Sequence, residues 1–169
     1  MSGAPRRIPL EPLSAAAFAP FGTVLGAAAG RGRPTNLGTA ERFDEAAPLV
    51  NARPGARPNL AVFVLRPQPL PLAITLLERH PHSSQVFAAL GSGRWLVAVA
   101  PARADGAPDP AGLRAFVAGA GDAICFAPGT WHHPVIALDR PAELLMLAWE
   151  DGGPGDCETV PLAPAVEAG

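Results

Sequence analysis

Glycine and proline punctuate this chain throughout: 18 Gly and 21 Pro are dispersed over 169 residues. Inside a helix a glycine costs about 1 kcal/mol and a proline about 3 kcal/mol relative to alanine. A chain interrupted this often builds many short strands joined by turns in preference to long helices. Hydrophobic residues at 49% against 17% charged supply a core for one globular domain, expected over residues 1–169.

The apolar runs between the breaks carry strand patterns. Ile8 to Leu13 reads as extended, and Ser14 as the N-cap of a short N-terminal helix, Ala15 to Phe18, that Pro20 stops. Phe21 to Leu25 reads as a strand and Gly26 to Thr35 as a surface loop. Further strands are expected at Leu60 to Arg66, Ala73 to His80, Gln85 to Leu90 and Trp95 to Val99, the last two as a hairpin about Gly91-Ser92-Gly93. Alternation in the second of these puts Ile74, Leu76, Glu78 and His80 on one face. After a Pro- and Asp-rich excursion at Ala102 to Gly112 come Leu113 to Val117, Ala123 to Ala127, Pro134 to Leu138 and Leu144 to Trp149, and residues 160–169 read as a loose tail. This is an all-β pattern, with a sandwich or barrel of the double-stranded β-helix kind expected.

Composition removes several function classes. The net charge is -2 with no basic run beyond Arg6-Arg7, so nucleic acid is not an expected partner. All thirteen basic residues are Arg. Without lysine there is no Schiff base, hence no pyridoxal chemistry, and no P-loop lysine; no organic cofactor is expected. Tyrosine is absent, so no phenol serves as an acid. Two cysteines make no disulfide framework, and a reduced, cytoplasmic setting is expected. No apolar window of about 18 residues suggests a membrane span, and no G-x-S-x-G elbow suggests a serine hydrolase.

All four histidines fall in two short stretches, His80 and His82 before the Gly91 turn, and His132 and His133 after Gly129. The second stretch, Gly121 to Pro134 (GDAICFAPGTWHHP), has a Gly-Asp start, a Pro-Gly turn and a His eleven residues after the Gly. It resembles the second motif of the cupins, small β-barrels that often hold a metal; Ala127 stands at that motif's proline position, with Pro128 one place late. The first cupin motif runs His-x-His, three or four residues, then Glu. Taking His80 and His82 as the pair leaves one residue too few before Gln85, whereas Glu78 and His80 leave four. The preferred set is therefore Glu78, His80, Gln85 and His132, ligand types suited to a divalent metal such as Ni, Mn or Zn. Adjacent strand residues face opposite sides, so His132 and His133 both point inward only if the turn extends through them.

Taken together, P-L-S-x-x-x-F-A-P-F-G (Pro12 to Gly22), G-T-A-E-R-F (Gly38 to Phe43), L-E-R-H-P-x-x-S-Q-x-F (Leu77 to Phe87), R-A-F (Arg114 to Phe116) and W-H-H-P (Trp131 to Pro134) resemble the ureidoglycolate lyase family. The resemblance implies a cupin fold, a homodimer, a divalent metal and cleavage of ureidoglycolate to glyoxylate and urea in purine catabolism. It implies His132, His133 and His80 as catalytic candidates, with either His132 or His133 as base. Asn36, Arg42 and Arg66 are implied as carboxylate binders, with Gln85 and Trp131 also facing substrate. The family usually carries Asn at Cys125, Asp-Arg at Glu150-Asp151 and Leu at His82. Two alternatives stand beside the lyase: a non-catalytic cupin binding a small hydroxy or oxo acid, and a metal-dependent isomerase or dioxygenase.

Overall fold

The computed structural model describes residues 5–26 and 32–169. In chain order its elements are β1 (Arg6–Ile8), β2 (Leu10–Pro12), α1 (Ala15–Phe18), β3 (Gly22–Leu25), β4 (Arg33–Thr35), β5 (Ala40–Arg42), β6 (Arg57–Leu65), β7 (Leu72–Arg79), β8 (Gln85–Ala89), β9 (Trp95–Ala100), β10 (Arg114–Ala118), β11 (Ala123–Phe126), β12 (Trp131–His132), β13 (Ile136–Ala137), β14 (Ala142–Glu150) and β15 (Glu158–Ala168). An eight-stranded sheet runs β1-β15-β7-β12-β9-β10-β2, with β13 also on β9; a five-stranded sheet runs β3-β11-β8-β14-β6; β4 and β5 form a separate hairpin. The two large sheets close an all-β, cupin-like barrel.

Alternation builds the core. On β9, Trp95, Val97 and Val99 point into the barrel with Phe87, Ile124, Phe126, Leu144 and Met146. Leu96, Ala98 and Ala100 point outward into a second apolar layer with Ile74, Leu77, Trp131, Leu162 and Val166. That is why all six residues of this strand are buried. The short helix forms as expected: Ser14 is extended and its hydroxyl accepts from the Ala17 N–H at 3.3 Å. Its purpose is to deliver Phe18, which is fully buried against the rings of Phe21, Phe116 and Phe126 at 5.9–6.1 Å.

Several expectations are corrected. Residues 160–169 are not a loose tail: β15 pairs antiparallel with β7 and parallel with β1, burying Leu162, Val166 and Ala168. The Gly91 turn does not close a hairpin, because β8 pairs with β11 and β14 while β9 pairs with β10, β12 and β13; the turn carries the chain from one sheet to the other. Ile74 does not share a face with Glu78. The β7–β15 register shifts between Pro161 and Val166, and this irregularity turns Ile74 into the outer layer beside Leu77. The expected Pro134–Leu138 strand shrinks to Ile136–Ala137. Of the expected Gly26–Thr35 loop, Arg33–Thr35 pairs with Ala40–Arg42, and residues 27–31 lie outside the described residues. Among the described residues no helix is long and apolar enough to cross a membrane.

Candidate active site

The two histidine stretches meet at one end of the barrel. β7 ends at Arg79, so Glu78 is its last residue but one and His80 lies just beyond its end at the rim, and Gln85 opens β8 after the intervening turn. Gly129 in the second stretch has a φ of +77°, which favours glycine, and its N–H donates to the His80 carbonyl at 2.8 Å. The turn is further held by Thr130, whose hydroxyl donates to the Phe21 carbonyl at 2.9 Å. It then feeds β12, where His132 lies directly across from Glu78. β12 stops at His132, and His133 follows directly, half-buried, with its backbone N–H donating to the Ala98 carbonyl at 2.9 Å.

Hydrogen bonding fixes the three rings in one state. His132 Nδ1 donates to the Thr130 carbonyl at 2.9 Å, His80 Nδ1 to the Asp156 carbonyl at 2.7 Å and His133 Nδ1 to the Pro134 carbonyl at 2.7 Å. A carbonyl has no proton to give, so each neutral ring presents a lone pair at Nε2. His132 is 1% exposed. One face of its ring stacks on Phe126, with centroids 4.3 Å apart at 14°, and it is stacked with His80 at 5.7 Å. Its Nε2 lies 3.5 Å from Glu78 Oε1 and has no hydrogen-bond partner; Gln85 Oε1 is likewise buried and unpartnered.

The electrostatics follow from this burial. Desolvation opposes ionisation of Glu78, but the imidazoles gathered around it, His132 first and then His80 and His133, outweigh it and hold the carboxyl below its ordinary value. Burial lowers His80 against the opposing bond to the Asp156 carbonyl, and lowers His133 against the bond to the Pro134 carbonyl. Both rings therefore stay neutral at neutral pH. The Cys157 thiol sits 4.0 Å from Glu78 Oε2, and burial, then the nearby acids, push it up.

Other sequence candidates are placed elsewhere. Trp131 points into the outer layer, donates to the Gly106 carbonyl at 2.9 Å and carries the Arg79 guanidinium over its ring at 4.5 Å. Asn36 and Arg42 are exposed on the β4–β5 hairpin, where Arg42 pairs with Asp44 at 2.6 Å. Arg66 follows the end of β6 that pairs with Ala142, whereas Asn59 and Arg57 at the other end pair with Ala148 and Glu150 beside the histidines. From Asn59 to Arg66 the strand runs about 23 Å. His82 is exposed. Cys125 faces outward beneath the Pro48 carbonyl at 3.7 Å, on the side of β11 opposite Ile124 and Phe126.

Sequence reasoning missed Arg57 and Asn59, and noted Glu150 only as a departure from the family. On β6, Ala61 packs against the inner core and Phe63 meets Phe87, so period two puts Asn59 and Arg57 on the inner face at the histidine end. Asn59 Nδ2 donates to Glu150 Oε2 at 2.7 Å, and the Glu150 charge is felt by His80. Arg57 is exposed and has no ion pair among the described residues. A period-two count carried backwards from Ala61 would have found both.

A divalent metal needs three or more donors converging on one point at about 2.0–2.6 Å. The residue types of Glu78, His80, Gln85 and His132 suit one, and the two orphaned acceptors call for an electron-poor partner. Yet among the described residues no three His, Cys, Asp or Glu side chains converge in that way. The chemistry below is derived from the side chains alone.

Comparison with known proteins agrees with this architecture. The family profile described as ureidoglycolate lyase matches residues 5–168. A protein named ureidoglycolate lyase from Burkholderia cepacia is 42% identical over 164 residues, covering 96% of this chain and 89% of its own. One of the same name from Azotobacter vinelandii is 38% identical over 149 residues, covering 88% and 89%. In fold, the chain is similar to a dTDP sugar isomerase from Desulfovibrio desulfuricans G20, with a TM-score of 0.51 at 18% identity, covering 86% of this chain and 88% of that one. With the profile matched over almost its whole length, the chain belongs to the ureidoglycolate lyase family.

Proposed function

We propose that this chain is a carbon–nitrogen lyase of the amidine-lyase type that cleaves ureidoglycolate into glyoxylate and urea. The observation that carries this reading is the pair of buried acceptors without donors, Gln85 Oε1 and His132 Nε2, beside an ionised Glu78. Such a wall complements a substrate rich in O–H and N–H groups, because a buried acceptor left unpaired costs about 1–3 kcal/mol until a donor arrives. A carbinolamide offers both kinds of donor, and the names of the relatives supply which one.

Collapse of the carbinolamide needs one proton moved from oxygen to nitrogen. His132 Nε2 takes the hydroxyl proton. The O–H electron pair becomes the second bond of the aldehyde, and the C–N bond breaks with its pair on nitrogen. The imidazolium then returns the proton to the departing urea nitrogen, so nothing else is consumed. Glu78 stabilises the transient imidazolium across 3.5 Å. His80 and His133 stay neutral and accept from substrate, and Gln85 Oε1 accepts a ureido N–H. Arg57, at the same barrel end and without an ion pair among the described residues, binds the substrate carboxylate through its guanidinium fork.

We further propose a cytoplasmic homodimer. Its support is the outer face of the five-stranded sheet, where Leu60, Val62 and Val64 on the edge strand β6 are 65%, 57% and 65% exposed beside Leu145 and Leu147. An exposed apolar face and an unpaired nine-residue edge together invite association.

Purified protein incubated with ureidoglycolate should release urea and glyoxylate in equal amounts, before and after dialysis against a chelator. Release that stops on chelation and returns with Ni, Mn or Zn would assign the four donors to a metal instead. Thermal stabilisation by glyoxylate with no urea released would make the chain a binding module and overturn the lyase reading.

A further inference from the structure

We propose that Arg53 and Asp156 are positioning residues for His80, holding its ring in the Nδ1–H form with Nε2 turned to the reacting groups. The inference rests on the lyase reading for its kinetic consequence, and on geometry alone for the positioning itself. Neither residue touches the other site side chains directly, and they lie 103 positions apart in sequence.

The His80 ring proton is accepted by the Asp156 main-chain carbonyl at 2.7 Å, so the placement of that carbonyl decides the tautomer and the ring angle. Its position is set by the residue's own side chain. The Asp156 carboxylate accepts the N–H groups of Asp151 at 3.1 and 3.2 Å and of Gly152 at 2.8 Å, curling residues 151–156 into a closed turn. It also binds Arg53 Nη2, while Arg53 Nη1 takes Asp151 Oδ2 at 2.8 Å and Nη2 reaches the Trp149 carbonyl at 3.1 Å. One guanidinium thus grips both acids of the turn and the end of β14. Both members are largely buried, with side chains 16% and 17% exposed.

Arg53 is itself anchored to the segment that follows His80. Ala52 N–H donates to the His82 carbonyl at 2.8 Å, and Ser84 N–H donates to the Val50 carbonyl at 3.0 Å. The Ser84 hydroxyl accepts from Val50 N–H at 2.9 Å. Asn51 Oδ1 accepts from Arg53 N–H at 3.0 Å. The contacts close a ring: from His80 to Asp156, to Arg53, and back through residues 50–52 to the turn after His80. An ion pair that only stabilised the surface would have no need to return to the residue it serves.

The experiment uses the full-length protein labelled with 15N-histidine. In the wild type the His80 ring nitrogens should report a single Nδ1–H tautomer. Arg53→Met should shift them toward a mixture of tautomers, leave those of His133 in place, and lower kcat about 10- to 100-fold with KM within about two-fold. Arg53→Lys keeps the charge but not the fork and should recover part of kcat. Should Arg53→Met fail to fold, Asp156→Asn decides, since it preserves shape and one acceptor oxygen for the turn N–H groups while removing the anionic partner. Unchanged His80 signals in a folded variant, or a loss confined to KM, overturn the proposal. A wild type that releases no urea overturns the lyase reading and leaves the tautomer measurement standing.

Discussion

The unpartnered Gln85 oxygen gives a prediction that separates a binding residue from a packing one. Gln85 is 6% exposed, and its Oε1 is buried without a donor. Desolvating such an acceptor costs the free protein about 1–3 kcal/mol. Methionine has nearly the same length and volume and no strong polar group, and volume-conserving swaps usually cost less than about 1.5 kcal/mol in packing. Gln85→Met should therefore be neutral to stabilising by up to about 1–2 kcal/mol, which is about 2–8 °C in Tm for a chain of this size. Without its acceptor for the ureido N–H, the variant should lose about 10- to 100-fold in kcat/KM, the worth of one hydrogen bond of about 1.4–2.8 kcal/mol in a dry site. Thermal unfolding without substrate and a urea-release assay measure the two halves. A variant that unfolds several degrees early while keeping full activity would refute the reasoning, because it would show the oxygen serving the fold and not a ligand.

Other consequences are quicker to state. His132→Ala should lower kcat by about 10²- to 10⁴-fold as expected for a lost general base; near-normal turnover would move the base to His133. His80 and His133 have folded values below the unfolded one, so the unfolded chain binds more protons as pH falls below about 6.5. Stability is full above that pH and should decline below it by up to about 1.4 kcal/mol per pH unit for each ring; guanidinium midpoints equal at pH 7.5 and 5.5 would contradict this. Phe18→Ala should cost about 3–5 kcal/mol, because the fully buried ring meets three others, and an unchanged Tm would deny the helix its anchoring part. Val62→Arg should yield monomers in sedimentation while leaving the monomer folded; a dimer that persists would place the interface elsewhere.

Much of the barrel was legible because its central strands alternate clearly. Leu60 to Arg66 and Trp95 to Val99 announce themselves through Val, Phe and Leu, and the spacing of Glu78, His80, Gln85 and His132 pointed to β7, β8 and β12, of which β7 and β12 pair directly. β15 was hidden because Pro161 and Pro164 interrupt it, although Val160, Leu162, Val166 and Ala168 keep a period of two on each side of the irregular stretch. The Gly91 turn misled because a Gly-Ser-Gly link serves a hairpin and a change of sheet equally well. Arg53 and Asp156 were invisible for another reason: their partnership spans 103 residues, and nothing local in either neighbourhood encodes it. Cys125 departs from the family within the second histidine stretch, yet strand alternation turns it to the outside of the barrel.

The stacking of His132 on Phe126 gives the site a reporter of its own. With the rings 4.3 Å apart and only 14° from parallel, the imidazole carbon protons lie over the face of the benzene ring, where its circulating electrons shield them. Among the described residues, which include all four histidines, only His132 is stacked this closely on a phenylalanine. Its resonances should fall well upfield of the other three and move as the ring tilts, so substrate arrival would be visible at that one position without any added label.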